Sequence, residues 1–88
     1  MLENKTAIIT GSNRGIGKAA LKIFLENNAK VWACCRKMDN QFYDDISEEY
    51  KKNIRFLSFD FEDSNQVKEA ANKIIKETDK IDILINNA

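Results

Sequence analysis

The chain has 88 residues, 43% of them hydrophobic, which is enough for one small domain with a single core and near the lower limit of what folds alone. Fourteen Lys and Arg balance fourteen Asp and Glu, so no net field draws the chain to nucleic acid or to an anionic membrane. No apolar run approaches the ~20 residues of a membrane span, and the polar start Met1-Leu2-Glu3-Asn4-Lys5 is not a signal peptide; the expectation is a soluble, cytoplasmic protein.

Thr6-Ala7-Ile8-Ile9-Thr10 is a short β-branched, apolar run ending at Gly11, the pattern of a strand buried on both faces. From Ile16, the residues Ile16, Ala19, Ala20, Ile23 and Phe24 form one helical stripe, with Lys18, Lys22 and Glu26 on the wet side. Asn27-Asn28 should end that helix, because asparagine tolerates the left-handed conformation of a helix terminus. Lys30 to Cys35 is the second strand. Its adjacent Cys34 and Cys35 have Cα atoms about 3.8 Å apart, too close for an ordinary disulfide, so both should be free thiols. With no histidine in the chain, they cannot form a zinc site of usual spacing either. Alternation sends Trp32 and Cys34 to one face and Cys35 to the other.

Arg36 to Gln41 is a polar connection, and Phe42, Ile46 and Tyr50 at four-residue spacing point to a weaker helix. Ile54 to Phe59 reads as a third strand, left through Asp60-Phe61-Glu62-Asp63. Asp63 and Gln66 have the spacing of a capping box, opening a helix with a Val67, Ala70, Ala71, Ile74, Ile75 stripe. Ile81 to Asn86 is a fourth strand. Strands alternating with helices at this spacing imply right-handed crossovers and a parallel α/β sheet of Rossmann type.

All three glycines of the chain lie between the first strand and the first helix, in Thr10-Gly11-Ser12-Asn13-Arg14-Gly15-Ile16-Gly17. A pyrophosphate can rest at a helix amino terminus only where backbone N–H groups reach it unobstructed, which glycine permits and the helix dipole favours. Gly11 then makes the tight turn, Gly15 the close approach and Gly17 the helix-to-strand contact. A glycine turn can serve packing alone, but one that follows a strand and opens a helix in a βαβ unit points to a dinucleotide. Gly17-Lys18-Ala19 lacks the hydroxyl residue of a nucleotide-triphosphate loop.

Gly11, Gly15 and Gly17 after Thr10, together with Asn86-Asn87-Ala88 closing the fourth strand, resemble the short-chain dehydrogenase/reductase family over the whole chain. The resemblance implies strand order three, two, one, four and a nicotinamide dinucleotide as partner. It implies further that Asn87, with Ala88 beside it, closes the cofactor site by the nicotinamide ribose. Asp60 would meet the adenine edge, with Phe61 contributing backbone; an Asp there can also simply cap a turn.

About 20 residues past a glycine turn, an acid suits the ribose hydroxyls of NAD and an arginine the 2′-phosphate of NADP. Here Cys35 stands in the acid's place and Arg36 follows, while Arg14 in the turn could approach the same phosphate. A planar guanidinium matches phosphate oxygens, which a carboxylate would repel. NADP is therefore the expected cofactor and NAD the alternative, which Asp39 folding back to the ribose would favour.

Members of the family that the chain resembles use a downstream serine, asparagine, tyrosine and lysine for hydride transfer, the last two four residues apart. Neither tyrosine here has such a partner: Ser47 follows Tyr43 at that distance, and Ile54 follows Tyr50. No catalytic residue is assigned, and the chain reads as the cofactor-binding front of a longer, homo-oligomeric oxidoreductase, 3-oxoacyl carrier-protein reductases being one subgroup with this pattern. A non-catalytic binding module is the competing class. The chain alone is expected to be inactive and to self-associate through its fourth strand, where Asp82 is the only charge placed to oppose pairing.

Overall fold

The computed structural model describes residues 2–12, 15–37 and 40–86. In chain order the elements are β1 (Thr6–Thr10), α1 (Gly15–Glu26), β2 (Lys30–Cys35), α2 (Asn40–Asp44), α3 (Glu48–Lys51), β3 (Ile54–Ser58), α4 (Ser64–Glu77) and β4 (Ile83–Ile85). The strands form one parallel sheet in the order β3-β2-β1-β4. This is the Rossmann-type arrangement and strand order expected from the sequence.

Register settles which side chains share a face. Ala7 pairs with Val31 and Ile83, and Ile9 with Ala33 and Ile85; β2 carries Val31 and Ala33 on to Ile54 and Phe56. On this face Ile9, Val31, Ala33 and Ile54 join Leu21 and Leu25 of α1, Phe42 and Ile46 in the main core. The other face carries Ile8, Trp32, Arg55 and Leu84 in one row. There α4 is tied down by Trp32 Nε1 donating to Thr78 Oγ1 at 2.8 Å and by the Arg55–Glu77 ion pair. The Arg55 guanidinium also lies over the indole, 4.6 Å from its centroid, within cation–π range. Burial on both faces accounts for the unbroken apolar run of β2, whose residues 31–35 are all buried. Strand β1, expected to be buried on both faces, is fully buried only at Ala7 and Ile9, with Ile8 half-buried on the other face where α4 covers less of the sheet.

Helix α1 stops where expected. Asn28 has φ +70°, its N–H donates to the Leu25 carbonyl and that of Ala29 to the Phe24 carbonyl, which is the Schellman pattern. The buried line of α1, however, is Gly17, Leu21 and Leu25, while Ile16 and Ile23 are 75% and 55% exposed. The helix is apolar over more than one face, and only the face centred on Leu21 meets the sheet. On α4, likewise, Ala70 and Ile74 are buried whereas Val67 and Ile75 are exposed.

The weak helix around Phe42, Ile46 and Tyr50 is two short ones. Ser47 is extended (φ −59°, ψ 141°) and divides α2 from α3, yet Phe42 and Ile46 are buried, so the spacing marked the right line. The third strand closes at Ser58, with the Phe59 N–H still donating to the Cys35 carbonyl at 3.0 Å.

The fourth strand is shorter than its sequence run, because Asp82 is used differently. Its N–H donates to the Thr6 carbonyl at 2.9 Å, and its carboxylate accepts the Thr6 N–H at 2.9 Å, with Lys80 Nζ 3.4 Å away. The Asp82 carboxylate is thus turned into the sheet and, contrary to expectation, does not guard the outer edge of β4.

Leu21 is completely buried, so Leu21→Ala should cost about 2–5 kcal/mol in urea unfolding, a large share of the stability of so small a chain. The Thr6 N–H above all, then Lys80, holds the Asp82 carboxyl below its ordinary range; Lys73 and then Arg55 do the same for Glu77. Folded-state values below the unfolded ones mean stability that is complete above about pH 4–5 and lost as pH falls through the depressed values. Urea midpoints between pH 2 and 7 should show that loss, and Asp82→Asn should flatten it.

Candidate dinucleotide site

The order β3-β2-β1-β4 reverses direction at β1, and ligands of such sheets bind outside the carboxyl ends of the strands at that reversal. The glycine turn leaves β1 there. Gly11 has φ +62° and Gly15, the first residue of α1, φ +58°, the left-handed region that glycine enters without strain. A Cβ built on Gly15 meets nothing within 4 Å. Among the described residues, then, nothing crowds this point at the α1 amino terminus, which suits a close approach. Gly17 is buried in the first turn of α1.

Ser12 holds the turn to β2. It is fully buried, and both its N–H and its hydroxyl donate to the Cys34 carbonyl, at 3.3 and 3.2 Å. That carbonyl lies opposite the end of β1 at Thr10, one residue before β2 itself stops, and the serine supplies it with two donors. On the other side of β1, the Thr10 hydroxyl lies 3.4 Å from the Ile85 carbonyl and 3.1 Å from Asn86 Oδ1, joining the ends of β1 and β4.

The end of β2 meets the end of β3. Arg36 is exposed, its carbonyl accepts from Ser58 Oγ at 2.9 Å, and its guanidinium stands 3.8 Å from the Asp60 carboxylate. Asp60 is also a turn-former: Oδ1 accepts the Glu62 N–H at 2.9 Å and its carbonyl that of Asp63 at 3.1 Å. Phe61 follows, its ring edge-on to Phe59 at 4.6 Å between centroids. The structure therefore gathers Gly11, Ser12, Gly15, Ile16 and Gly17 at one turn, and sets Arg36 beside Asp60 with Phe61 next in the chain. Asn13, Arg14, Asp39, Asn87 and Ala88 lie outside the described residues.

Three groups here escaped the sequence reading in their actual roles. The anchoring of Ser12 had one signal, a small hydroxyl residue directly after a turn glycine. Thr10 acts across the fold, on the end of β4, and Gln66 accepts from the Asp60 N–H, beyond the three-residue reach of a capping box. A groove of about 520 Å³, lined by Trp32, Arg55 and Thr78 among others, opens at the opposite end of the sheet, so strand order and not cavity size locates the site.

A parallel sheet reversing at a glycine turn defines a Rossmann-type, dinucleotide-binding class of protein. The short chain dehydrogenase family model matches residues 5–88, and the chain belongs to that family. It is 39% identical over 93 residues to a 3α-hydroxysteroid dehydrogenase of Mediterraneibacter gnavus, covering 100% of this chain and 36% of that protein. It is 31% identical over 90 residues to a 3-oxoacyl-[acyl-carrier-protein] reductase of Chlamydia muridarum, with the same coverages. Among solved structures, an ElxO variant with NADPH bound superposes with TM-score 0.84 at 36% identity, over 96% of this chain and 34% of the other. The chain thus spans about a third of the length of the curated relatives it matches. No described helix is long and apolar enough to cross a membrane, and no described cluster of acidic or thiol groups could hold a metal.

Cys34 and Cys35 are both buried and free. Burial, and then its neighbour Cys35, push the Cys34 thiol up to about 12; burial raises Cys35 as well. As the thiolate is the reactive form, neither should react with a disulfide reagent at pH 7–8 in the folded chain, and both should after denaturation. Gly15→Ala should cost about 1 kcal/mol through its positive φ alone, since no clash awaits the methyl; urea unfolding measures it.

Proposed function

We propose that the chain is the NADP(H)-binding portion of an oxidoreductase that moves hydride between a carbonyl and an alcohol. The observation that carries the choice of cofactor is Arg36 at the carboxyl end of β2, where Cys35 replaces the acid that would favour NAD. Gly11, Ser12, Asn13, Arg14, Gly15, Ile16 and Gly17 would hold the pyrophosphate, with Arg14 and Arg36 on the 2′-phosphate. Asp60 and Phe61 would flank the adenine, and Asn87 with Ala88 the nicotinamide ribose. When bound, the cofactor supplies or accepts the hydride. A carbonyl/alcohol pair is common to the names of both relatives; the carrier-protein reductase supports a 3-oxoacyl thioester, and the more identical dehydrogenase supports a hydroxysteroid.

On their own the 88 residues bind and do not turn over, because neither tyrosine has the paired lysine that the family's chemistry needs. The outer edge of β4 favours self-association, the more so because Asp82 faces inward and Leu84 is 65% exposed. Sedimentation at several concentrations should show dimers or larger species, and a strictly monomeric chain would exclude this.

Fluorescence titration of the reduced nicotinamide should give NADPH the tighter binding by about 10- to 100-fold, the worth of one or two charge-assisted hydrogen bonds to phosphate. Arg36→Asp should abolish that preference. Equal affinity for NADH and NADPH, or an unaltered ratio in the variant, would overturn the assignment.

A further inference from the structure

The turn that leaves β3 is fastened by a side chain from α4. Asp63, the residue before that helix, accepts the N–H groups of Asn65 and Gln66 on Oδ1, at 3.0 and 3.3 Å. In a capping box the glutamine would return to the N–H of Asp63. Instead Gln66 reaches three residues further back: its Oε1 accepts the Asp60 N–H at 2.8 Å, while its Nε2 donates to Asp63 Oδ2 at 3.1 Å. The Asp63 N–H goes to the Asp60 carbonyl.

Gln66 therefore bridges the helix cap and Asp60, the second residue after β3. The consequence reaches the Asp60 side chain, whose Oδ1 takes the Glu62 N–H and whose Oδ2 faces Arg36. With its backbone held at the N–H and its carboxylate held within the turn, Asp60 has little freedom. A continuous set of contacts runs from the α4 cap through Gln66 and Asp60 to the guanidinium of Arg36.

We propose that Gln66 is a positioning residue for the adenosine end of the cofactor, fixing the Asp60 turn against which the adenine lies and, through Asp60, the Arg36 guanidinium. The inference rests on the dinucleotide reading above. Gln66 is exposed and makes no part of the core, so its replacement leaves the fold in place. Leucine removes both hydrogen bonds. Glutamate keeps an acceptor for the Asp60 N–H but loses the donor to Asp63 Oδ2 and sets a second carboxylate against it, so it separates the two bonds.

The test is calorimetric titration of the full chain and its Gln66→Leu and Gln66→Glu variants with AMP, NADH and NADPH, together with amide exchange at Asp60. In Gln66→Leu all three ligands should weaken about fivefold, the worth of one net hydrogen bond, and the Asp60 amide should exchange faster. The urea midpoint should stay nearly unchanged, since Asp63 retains its Oδ1 bonds. In Gln66→Glu, AMP affinity should fall by less than in Gln66→Leu, because the acceptor for the Asp60 N–H survives while the bond to Asp63 is lost. Unaltered AMP binding in Gln66→Leu, while the parent binds AMP and NADPH, overturns the positioning role alone. A parent that binds neither ligand overturns it together with the dinucleotide reading.

Discussion

Parallel strands cannot be joined by tight turns; each must be reached by a crossover, and crossovers in one sheet keep one hand. With α1, α2 and α3 on one face the sheet grows from β1 to β2 to β3, and it can grow the other way only by sending α4 across the opposite face to β4. That constraint opens the crevice at the carboxyl end of β1. It also decides what the two faces bury: the apolar core of Leu21, Leu25 and Phe42 on one, and Trp32 beneath the end of α4 on the other.

At the carboxyl ends of the strands the ladder runs out, and short polar side chains take over the backbone groups it leaves. Ser12 serves the Cys34 carbonyl, Ser58 that of Arg36, and Thr10 reaches the Ile85 carbonyl. At the amino end Asp82 does the same for the Thr6 N–H. The candidate site thus has its shape from side-chain to backbone bonds made at the points where strands stop. Each uses a residue small enough to fold back on the main chain, which is why Ser, Thr and Asp recur there.

Strand type and the glycine turn were legible in the sequence because each depends on local pattern: β-branched runs, and glycines placed between a strand and a helix; strand order, a non-local property, came only from the family resemblance. The end of α1 was legible for the same reason, Asn28 being one of few residues that accept positive φ. What could not be read was which of two overlapping apolar stripes meets the sheet. Ile16 and Leu21 are equally apolar, and only the position of β1 and β2 tells them apart. Asp82 misled because a carboxylate at a strand edge looks solvated until the neighbouring Thr6 N–H is seen to need it. Gln66 showed its correct spacing and hid its real partner, since Asp60 comes within reach only when the chain turns back on itself.

The chain has one tryptophan, and the fold puts it under the seam between sheet and α4. Its indole N–H is satisfied by Thr78, just past the helix, and its ring is covered by a guanidinium that is itself held by Glu77 from the last turn. Lifting α4 would remove Thr78 from the indole and release the Arg55 guanidinium from Glu77, wetting the ring while leaving the strands paired. Emission from Trp32 is therefore a built-in gauge of one seam of the molecule. A red shift preceding the loss of far-ultraviolet ellipticity would reveal the α4 face opening as a separate cooperative unit, without any label added.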